Sequence, residues 1–346
     1  MKAALLYGTK ELRIEDVPIP EPGPGEALVR VCACGVCPTD VKRYMGSATP
    51  PHFPFILGHE ATGIIEKIGE GTQQQSYLKV GDRVVGGNII PCGHCDTCRN
   101  GKLETVGLGA CENQEIFGVT VDGGFREYAV MPLGLLEKIP EDMPFHAAAL
   151  VEPVACCLNG VEKADIQLND MVLVLGAGFM GLVQMQLAKL KGARVAISDI
   201  LDERLEIAKS LGADYTINSA NKDVIEELRK FNNGNLADVV LCSVGIPPVI
   251  GQGLDALNRG ARMVLLGGLK SPGTITINAN DLHYKQASFI GSVSYTKSGF
   301  KKNIKLIHEG KINVDVLQPE RIPVEQLEQA FIDVSQAKGL RKCILF

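Results

Sequence analysis

The sequence predicts an α/β protein in two parts, an all-β segment at the front and a doubly wound parallel sheet behind it. Three observations predict this. Val172-Leu173-Val174-Leu175 is an apolar run of strand length, and the glycine-spaced Gly176-Ala177-Gly178-Phe179-Met180-Gly181 follows at once. From Val172 to about Phe289, short apolar runs alternate with amphipathic helical stretches, the texture of consecutive β-α-β units. Before about Met143 the chain alternates apolar and polar residues in short runs broken by Pro and Gly, which is antiparallel-sheet texture.

In chain order, Ala3–Leu6, Leu12–Asp16 and Ala27–Val31 read as strands, separated by Pro18, Pro20, Pro22, Gly23, Pro24 and Gly25. The same pattern returns at Gly63–Ile68, Asp82–Val85 and Gly124–Val130, with Gln73-Gln74-Gln75 as a small loop insertion. Ala147-Ala148-Ala149-Leu150 opens a helical stretch that runs through Asn159. Behind the Val172 strand a helix is expected over Leu182 to Lys191, then a strand at Arg194–Ser198 and an amphipathic helix over Asp202–Lys209, which carries Arg204. Ala213–Ile217, Val239–Leu241 and Met263–Leu266 continue the sheet. The tail holds helices at Phe300–His308 and Val324–Ala337 and a last strand at Cys343–Phe346. A doubly wound domain is complete without that tail, so its end is expected to return to the first domain. The expected division is therefore 1–155, completed by 293–346, and 156–292.

The glycine motif has a physical reading. Gly176 permits a tight turn, Gly178 lets the backbone approach a pyrophosphate, and Gly181 lets helix and strand pack closely. The helix start offers unpaired N–H groups and a positive dipole end to phosphates. Asp199 stands at the end of the next strand, 18 residues past Gly181. A carboxylate there accepts hydrogen bonds from both ribose hydroxyls and repels a 2′-phosphate, which favours NAD over NADP. The plainer role for Asp199 is to cap the helix after it.

A chain of 346 residues with 45% hydrophobic and 22% charged residues describes an ordinary globular protein with room for two cores. A formal net charge of −5 argues against nucleic acid or an anionic membrane as the main partner. The apolar run after Met1 is too short for a signal peptide, and no stretch suggests a membrane span. Eleven cysteines, unevenly clustered, suggest metal sites or reduced thiols rather than a disulfide framework, and so a cytoplasmic location.

Cys92-x-x-Cys95-x-x-Cys98, with Cys111 downstream, can close four thiolates on one tetrahedral zinc, and a closed four-sulfur site is structural. Pro91, Gly93 and Gly101 supply the turns. An iron–sulfur run would want a fourth cysteine about three residues on, where Lys102 stands. A nucleic-acid knuckle would want basic surroundings, which Asp96 and Glu104 dilute. A second, scattered set comprises Cys37, His59, Glu60 and Glu152. Singly, Cys37 reads as a small buried hydrophobe, His59 as a core histidine and Glu152 as a helix-end charge. Cys156, Cys157 and Cys242 read as packing thiols, His52 as a loop residue, and Glu11, Glu15 and Asp16 as a solvated face.

Cys34 to Asp40, Gly58-His59-Glu60-Ala61-Thr62-Gly63, Val80-Gly81-Asp82-Arg83-Val84, the Cys92 to Cys111 lobe and Gly176 to Gly181 occur in one order. In that order the chain resembles the zinc-dependent medium-chain dehydrogenases over essentially its whole length. The resemblance implies a GroES-like β domain carrying the zinc, a Rossmann domain, and an active site between them. It implies that Cys37 and His59 bind a catalytic zinc, with Glu60 and Glu152 as further ligands or close carboxylates. It also implies that Thr39 passes the substrate proton outwards while a hydride leaves for the nicotinamide. The cofactor contacts would be Gly176, Gly178, Phe179, Met180, Gly181, Asp199 and Arg204.

Simple-alcohol dehydrogenases place cysteine where Glu152-Pro153 stands, whereas this pair is similar to the sorbitol, threonine and other polyol dehydrogenases. A carboxylate makes the zinc harder, which suits a polyol or vicinal diol. The expected function is oxidation of such a secondary alcohol to the ketone with NAD. The alternatives are a sugar-alcohol-phosphate or amino-alcohol dehydrogenase, with Lys42, Arg43 and Lys297 as candidate phosphate partners, or a bulkier secondary-alcohol dehydrogenase. A non-enzymatic relative is disfavoured because Cys37, Thr39, His59 and Glu152 are all present. Two features depart from the family pattern: the gap from Cys98 to Cys111 is longer than usual, and Pro38 removes a backbone donor. Tyr44 is placed either in the substrate pocket or in the core. The family associates through an edge strand, here Ile275–Asn278 or its neighbour, giving a homodimer or homotetramer.

Overall fold

The computed structural model describes residues 1–71, 77–269, 273–317 and 320–346; Gln73-Gln74-Gln75 lies outside them. The chain forms two compact units. The first comprises Met1–Pro153, Thr296–Gly310 and Val314–Phe346, and the second Val154–Tyr295 with Lys311–Asn313.

The first unit is built on the strand Glu26–Gly35, whose apolar positions Ala27, Leu28, Val29, Val31, Ala33 and Cys34 are buried. It pairs antiparallel with Glu60–Ile68, with Tyr128–Pro132, and with the C-terminal strand Lys342–Leu345. In this register Gly35 faces Glu60 on one side and Cys343 on the other. Three remote stretches of chain thus meet at the end of one strand, just before Cys37. A smaller sheet carries Lys2–Gly8 between Glu11–Asp16 and Phe55–Ile56. The expected strand at Gly124–Val130 is displaced to Tyr128–Pro132; Gly124 and Phe125 instead donate to the carbonyls of Gly58 and Leu57.

The second unit is a six-stranded parallel sheet, in the spatial order Tyr215–Asn218, Arg194–Asp199, Met171–Leu175, Ala237–Cys242, Leu257–Leu265, Ser288–Gly291. Chain order reverses beside Met171–Leu175, the switch point where such sheets bind ligands. All five residues of that strand are buried. Each large apolar side chain buried this way contributes about 1.5–3 kcal/mol. The strand is therefore fixed firmly enough to aim the loop after it.

Several local expectations are corrected. The helix after the glycine motif begins at Phe179, with Gly178 as its N-cap residue, and not at Leu182. The single helical stretch through Asn159 is two helices, Phe145–Ala148 and Val151–Lys163. Pro153 lies in the first turn of the second, where its missing N–H breaks no intrahelical bond. Ile275–Asn278 is not a strand; the sheet ends at Ser288–Gly291 on that side. Among the described residues no helix is long and apolar enough to cross a membrane.

Candidate functional site

Cys37 is the N-cap residue of the helix Pro38–Tyr44, in extended backbone. Pro38 occupies the first helical position, where the N–H it lacks has no intrahelical use. Asp40, fully buried, ties the turn together. Its Oδ2 accepts from the Cys37 N–H at 2.9 Å and its Oδ1 from the Gly58 N–H at 3.3 Å. The second bond holds the loop that delivers His59. Asp40 Oδ1 also lies 3.3 Å from His59 Nδ1, but this nitrogen is buried without a hydrogen-bond partner.

Glu60 is wholly buried, and Arg341 donates to its Oε1. Its Oε2 has no hydrogen-bond partner and lies where a side chain at position 35 would be. A Cβ on Gly35 would stand 2.0 Å from it, so only glycine leaves that space. The Cys37 sulfur, a His59 ring nitrogen and a Glu60 oxygen all lie within 4.8 Å of one another. Glu152 is not part of that group; it is buried, and its Oε1 accepts from Asn88 Nδ2 at 3.1 Å.

Negative charge dominates the electrostatics of this group. Burial pulls His59 down, yet the charges of Asp40 and Cys37 outweigh it and hold the imidazole above its ordinary value. Burial likewise opposes the charge on Arg341, and Glu60, followed by Cys37, more than offsets it. A His59 ring nitrogen, a Glu60 carboxylate oxygen and the Cys37 sulfur in reach of each other are a donor set that fits zinc. Sequence reasoning missed Asp40 as a brace, Arg341 and Asn88. Asp40 was legible in its spacing from Cys37; Arg341 and Asn88 carry no local signal.

The second group is Cys92, Cys95, Cys98 and Cys111. Three of its sulfur pairs are 3.9, 3.9 and 3.6 Å apart. Four sulfurs about 2.3 Å from a tetrahedral zinc would be about 3.8 Å apart, so the lobe fits the ion. Backbone N–H groups converge on the sulfurs: Cys92 N–H on Cys111 and Cys95 N–H on Cys92, each at 3.3 Å. The N–H groups of His94 and Cys95 hold Cys92 down at about 6, whereas burial pushes Cys98 up to about 12.

In the second unit, Gly176 takes φ +94°, which L side chains rarely adopt, and a Cβ on Gly181 would meet the Gly176 carbonyl oxygen at 1.8 Å. Gly178 faces open space, and the helix it starts has no side-chain cap, so backbone N–H groups point into room for phosphate. Asp199 is buried. Its Oδ2 accepts from the Ala177 N–H at 2.7 Å and its Oδ1 from the Leu201 N–H at 3.0 Å, with Arg204 at 3.7 Å. The N-cap residue of the next helix is Leu201, so Asp199 braces the glycine loop rather than capping that helix. Tyr44 is buried; it packs on Phe331 and donates to Glu328 at 2.7 Å, which places it in the core.

A doubly wound sheet with a phosphate-ready glycine loop, joined in one chain to two zinc-fitting clusters, defines a metal-dependent nicotinamide oxidoreductase. Residues 23–141 match the alcohol dehydrogenase GroES-like domain, and residues 180–309 the zinc-binding dehydrogenase domain. The L-threonine 3-dehydrogenase of Pyrococcus horikoshii is 35% identical, over 96% of this chain and 93% of its own. The erythritol/L-threitol dehydrogenase of Mycolicibacterium smegmatis is 31% identical, over 98% and 95%. An alcohol dehydrogenase from Escherichia coli CFT073, solved with NADH, superposes with a TM-score of 0.90 at 29% identity, over 100% of this chain and 99% of that one. The chain belongs to the zinc-dependent medium-chain alcohol dehydrogenase family.

Proposed function

We propose that this protein oxidises a secondary alcohol of a polyol or vicinal diol to the ketone, reversibly, with NAD as hydride acceptor. The observation that carries the reading is the buried carboxylate of Glu152, held by Asn88, at the position where simple-alcohol dehydrogenases place cysteine. The erythritol/L-threitol relative supports it. Cys37, His59 and Glu60 would hold the catalytic zinc, with Glu152 as a further carboxylate, and Cys92, Cys95, Cys98 and Cys111 a structural one. When bound, zinc supplies Lewis acidity at the substrate hydroxyl and NAD accepts the hydride.

The chain's own residues supply the rest. Asp40 and Gly58 fix the approach of His59, and Arg341 neutralises Glu60. Thr39, two residues after Cys37 in the first turn of the helix, carries a hydroxyl that both accepts and donates, so it can pass the substrate proton outwards. Gly176, Gly178, Phe179, Met180 and Gly181 would receive the pyrophosphate, and Asp199 and Arg204 the adenosine ribose. A second reading, an amino-alcohol or sugar-alcohol-phosphate dehydrogenase, is favoured by the threonine relative. Eleven cysteines without a disulfide among them suit the cytoplasm. A homodimer or homotetramer is the assembly we propose.

The test is reduction of NAD and of NADP by the purified protein on polyols, their phosphates, butanediol, threonine and secondary alcohols, with and without a zinc chelator. The expected outcome is chelator-sensitive oxidation of a polyol or diol, faster with NAD. Activity that persists after metal analysis shows the zinc stripped would remove zinc from the mechanism. A stronger rate on threonine would select the second reading.

A further inference from the structure

Arg43 stands one turn beyond Thr39 on the helix that Cys37 starts, and among the described residues its cationic head is barely partnered. Its Nη1 reaches the Thr39 carbonyl oxygen at 3.4 Å, a long bond. Its Nε is buried and has no hydrogen-bond partner. No carboxylate among the described residues lies within 4.0 Å of it, whereas the deeply buried Arg341 is paired with Glu60. Asp40 does not fill the gap: its oxygens accept from the Cys37 and Gly58 N–H groups, and neither comes within 4.0 Å of the Arg43 guanidinium. Burial pushes the Arg43 guanidinium down from its ordinary value, with Asp40 and Cys37 pulling the other way. The head therefore sits partly out of water within the field of the Cys37 cluster.

The contact with the Thr39 carbonyl turns the head back toward the Cys37 end of the helix. Tyr44, the next residue, anchors the helix by packing on Phe331 and donating to Glu328. Lys42 and Lys297, the other cations the sequence offered, are exposed and free to remain hydrated. One helical turn is about 5.4 Å, a distance that a few carbon–carbon bonds span. A planar guanidinium fork matches the two oxygens of a carboxylate or a phosphate.

We propose that Arg43 receives an anionic oxygen group, carboxylate or phosphate, on the substrate of the Cys37–His59–Glu60 site. The inference rests on the dehydrogenase reading and narrows it. The favoured substrate is then a polyhydroxy compound that carries a negative charge a few carbons from the hydroxyl that is oxidised. The neutral polyol becomes the poorer ligand.

Three probes share one carbon skeleton and differ in charge: sorbitol, gluconate and sorbitol 6-phosphate. Their binding to the zinc-loaded protein with NADH present is measured by titration calorimetry. At least one charged probe should bind roughly tenfold or more tighter than sorbitol, as a charge-assisted pair would give. Which one does so separates the carboxylate from the phosphate. In Arg43→Ala and Arg43→Gln the ratio should fall towards one, and in Arg43→Lys recover in part. In the unmodified protein the ratio should shrink as salt is added, a reading that needs no variant to fold. Sorbitol binding as tightly as both charged probes would overturn the proposal, as would a preference retained in a folded Arg43→Gln, or no binding by any probe. Charged probes that bind but yield no hydride transfer to NAD, with zinc content confirmed, would leave Arg43 its role and remove the dehydrogenase reading. Chelator-sensitive oxidation of sorbitol with no preference for charge would do the reverse.

Discussion

The two cysteine-bearing clusters of the first unit solve the same problem in opposite ways. The Cys92–Cys111 lobe draws four like ligands from 20 consecutive residues and surrounds them with its own backbone N–H groups. The Cys37–His59–Glu60 group draws three unlike ligands from two separate stretches, and Arg341, the partner of Glu60, comes from a third. The lobe's donors are saturated by each other, which suits a closed structural ion. The scattered group leaves an imidazole nitrogen and a carboxylate oxygen unbonded. A site meant to admit a substrate must keep donors in hand, and only buried counter-charges can hold such donors in place. The lobe is a local object; the scattered group is a property of the whole unit.

That contrast can be broken most severely at Cys37. Cys37→Ser should lower kcat on the best substrate by roughly 10³-fold or more, since Lewis acidity is worth several kcal/mol and each 1.36 kcal/mol is tenfold. Zinc per chain, measured by atomic emission, should fall by one equivalent and not two. Loss of both ions would show that the clusters are coupled rather than separate. Next comes Arg341→Ala, which strips a buried carboxylate of its counter-charge. Global stability in urea should drop by about 3–5 kcal/mol, the usual cost of removing one member of a buried pair. A drop below about 1 kcal/mol would mean that Glu60 finds its partner elsewhere and that the distributed cluster is looser than its geometry.

The mildest effect on chemistry is expected at the lobe. Cys111→Ser opens the four-sulfur shell, and even partners one layer outside a metal shell cost about 10–100-fold in affinity when lost. The lobe zinc should therefore be released at chelator concentrations at least about tenfold lower, and limited proteolysis should begin to cut within residues 92–111. The catalytic zinc and kcat should change far less than in Cys37→Ser. Equal losses at both clusters would erase the distinction between a local and a distributed site.

The same contrast explains what could be read in advance. The sequence carried the parallel sheet, because Met171–Leu175 and its neighbours are apolar enough to need burial on both faces wherever they lie. It carried the glycine loop, whose φ at Gly176 and contact at Gly181 are local backbone constraints. It carried the four-cysteine lobe, because ligands spaced by two residues must share a turn. The errors were local as well. The helix start moved to Phe179 because Gly178 serves as its N-cap residue, and Ile275–Asn278 did not join the sheet.

What only the tertiary structure decided is which distant residues share a charge. Residue patterns fix which face of a strand is buried, and so constrain its register, but they do not say which remote strand lies beside it. Pairing of Gly35 with both Glu60 and Cys343 brings Arg341 onto Glu60. The fold likewise brings Asn88 to Glu152 and leaves Arg43 half-buried with its Nε unpaired. Burial then gives those pairings their strength, because a carboxylate, an imidazole or a guanidinium removed from water must find its counterpart within a few ångströms.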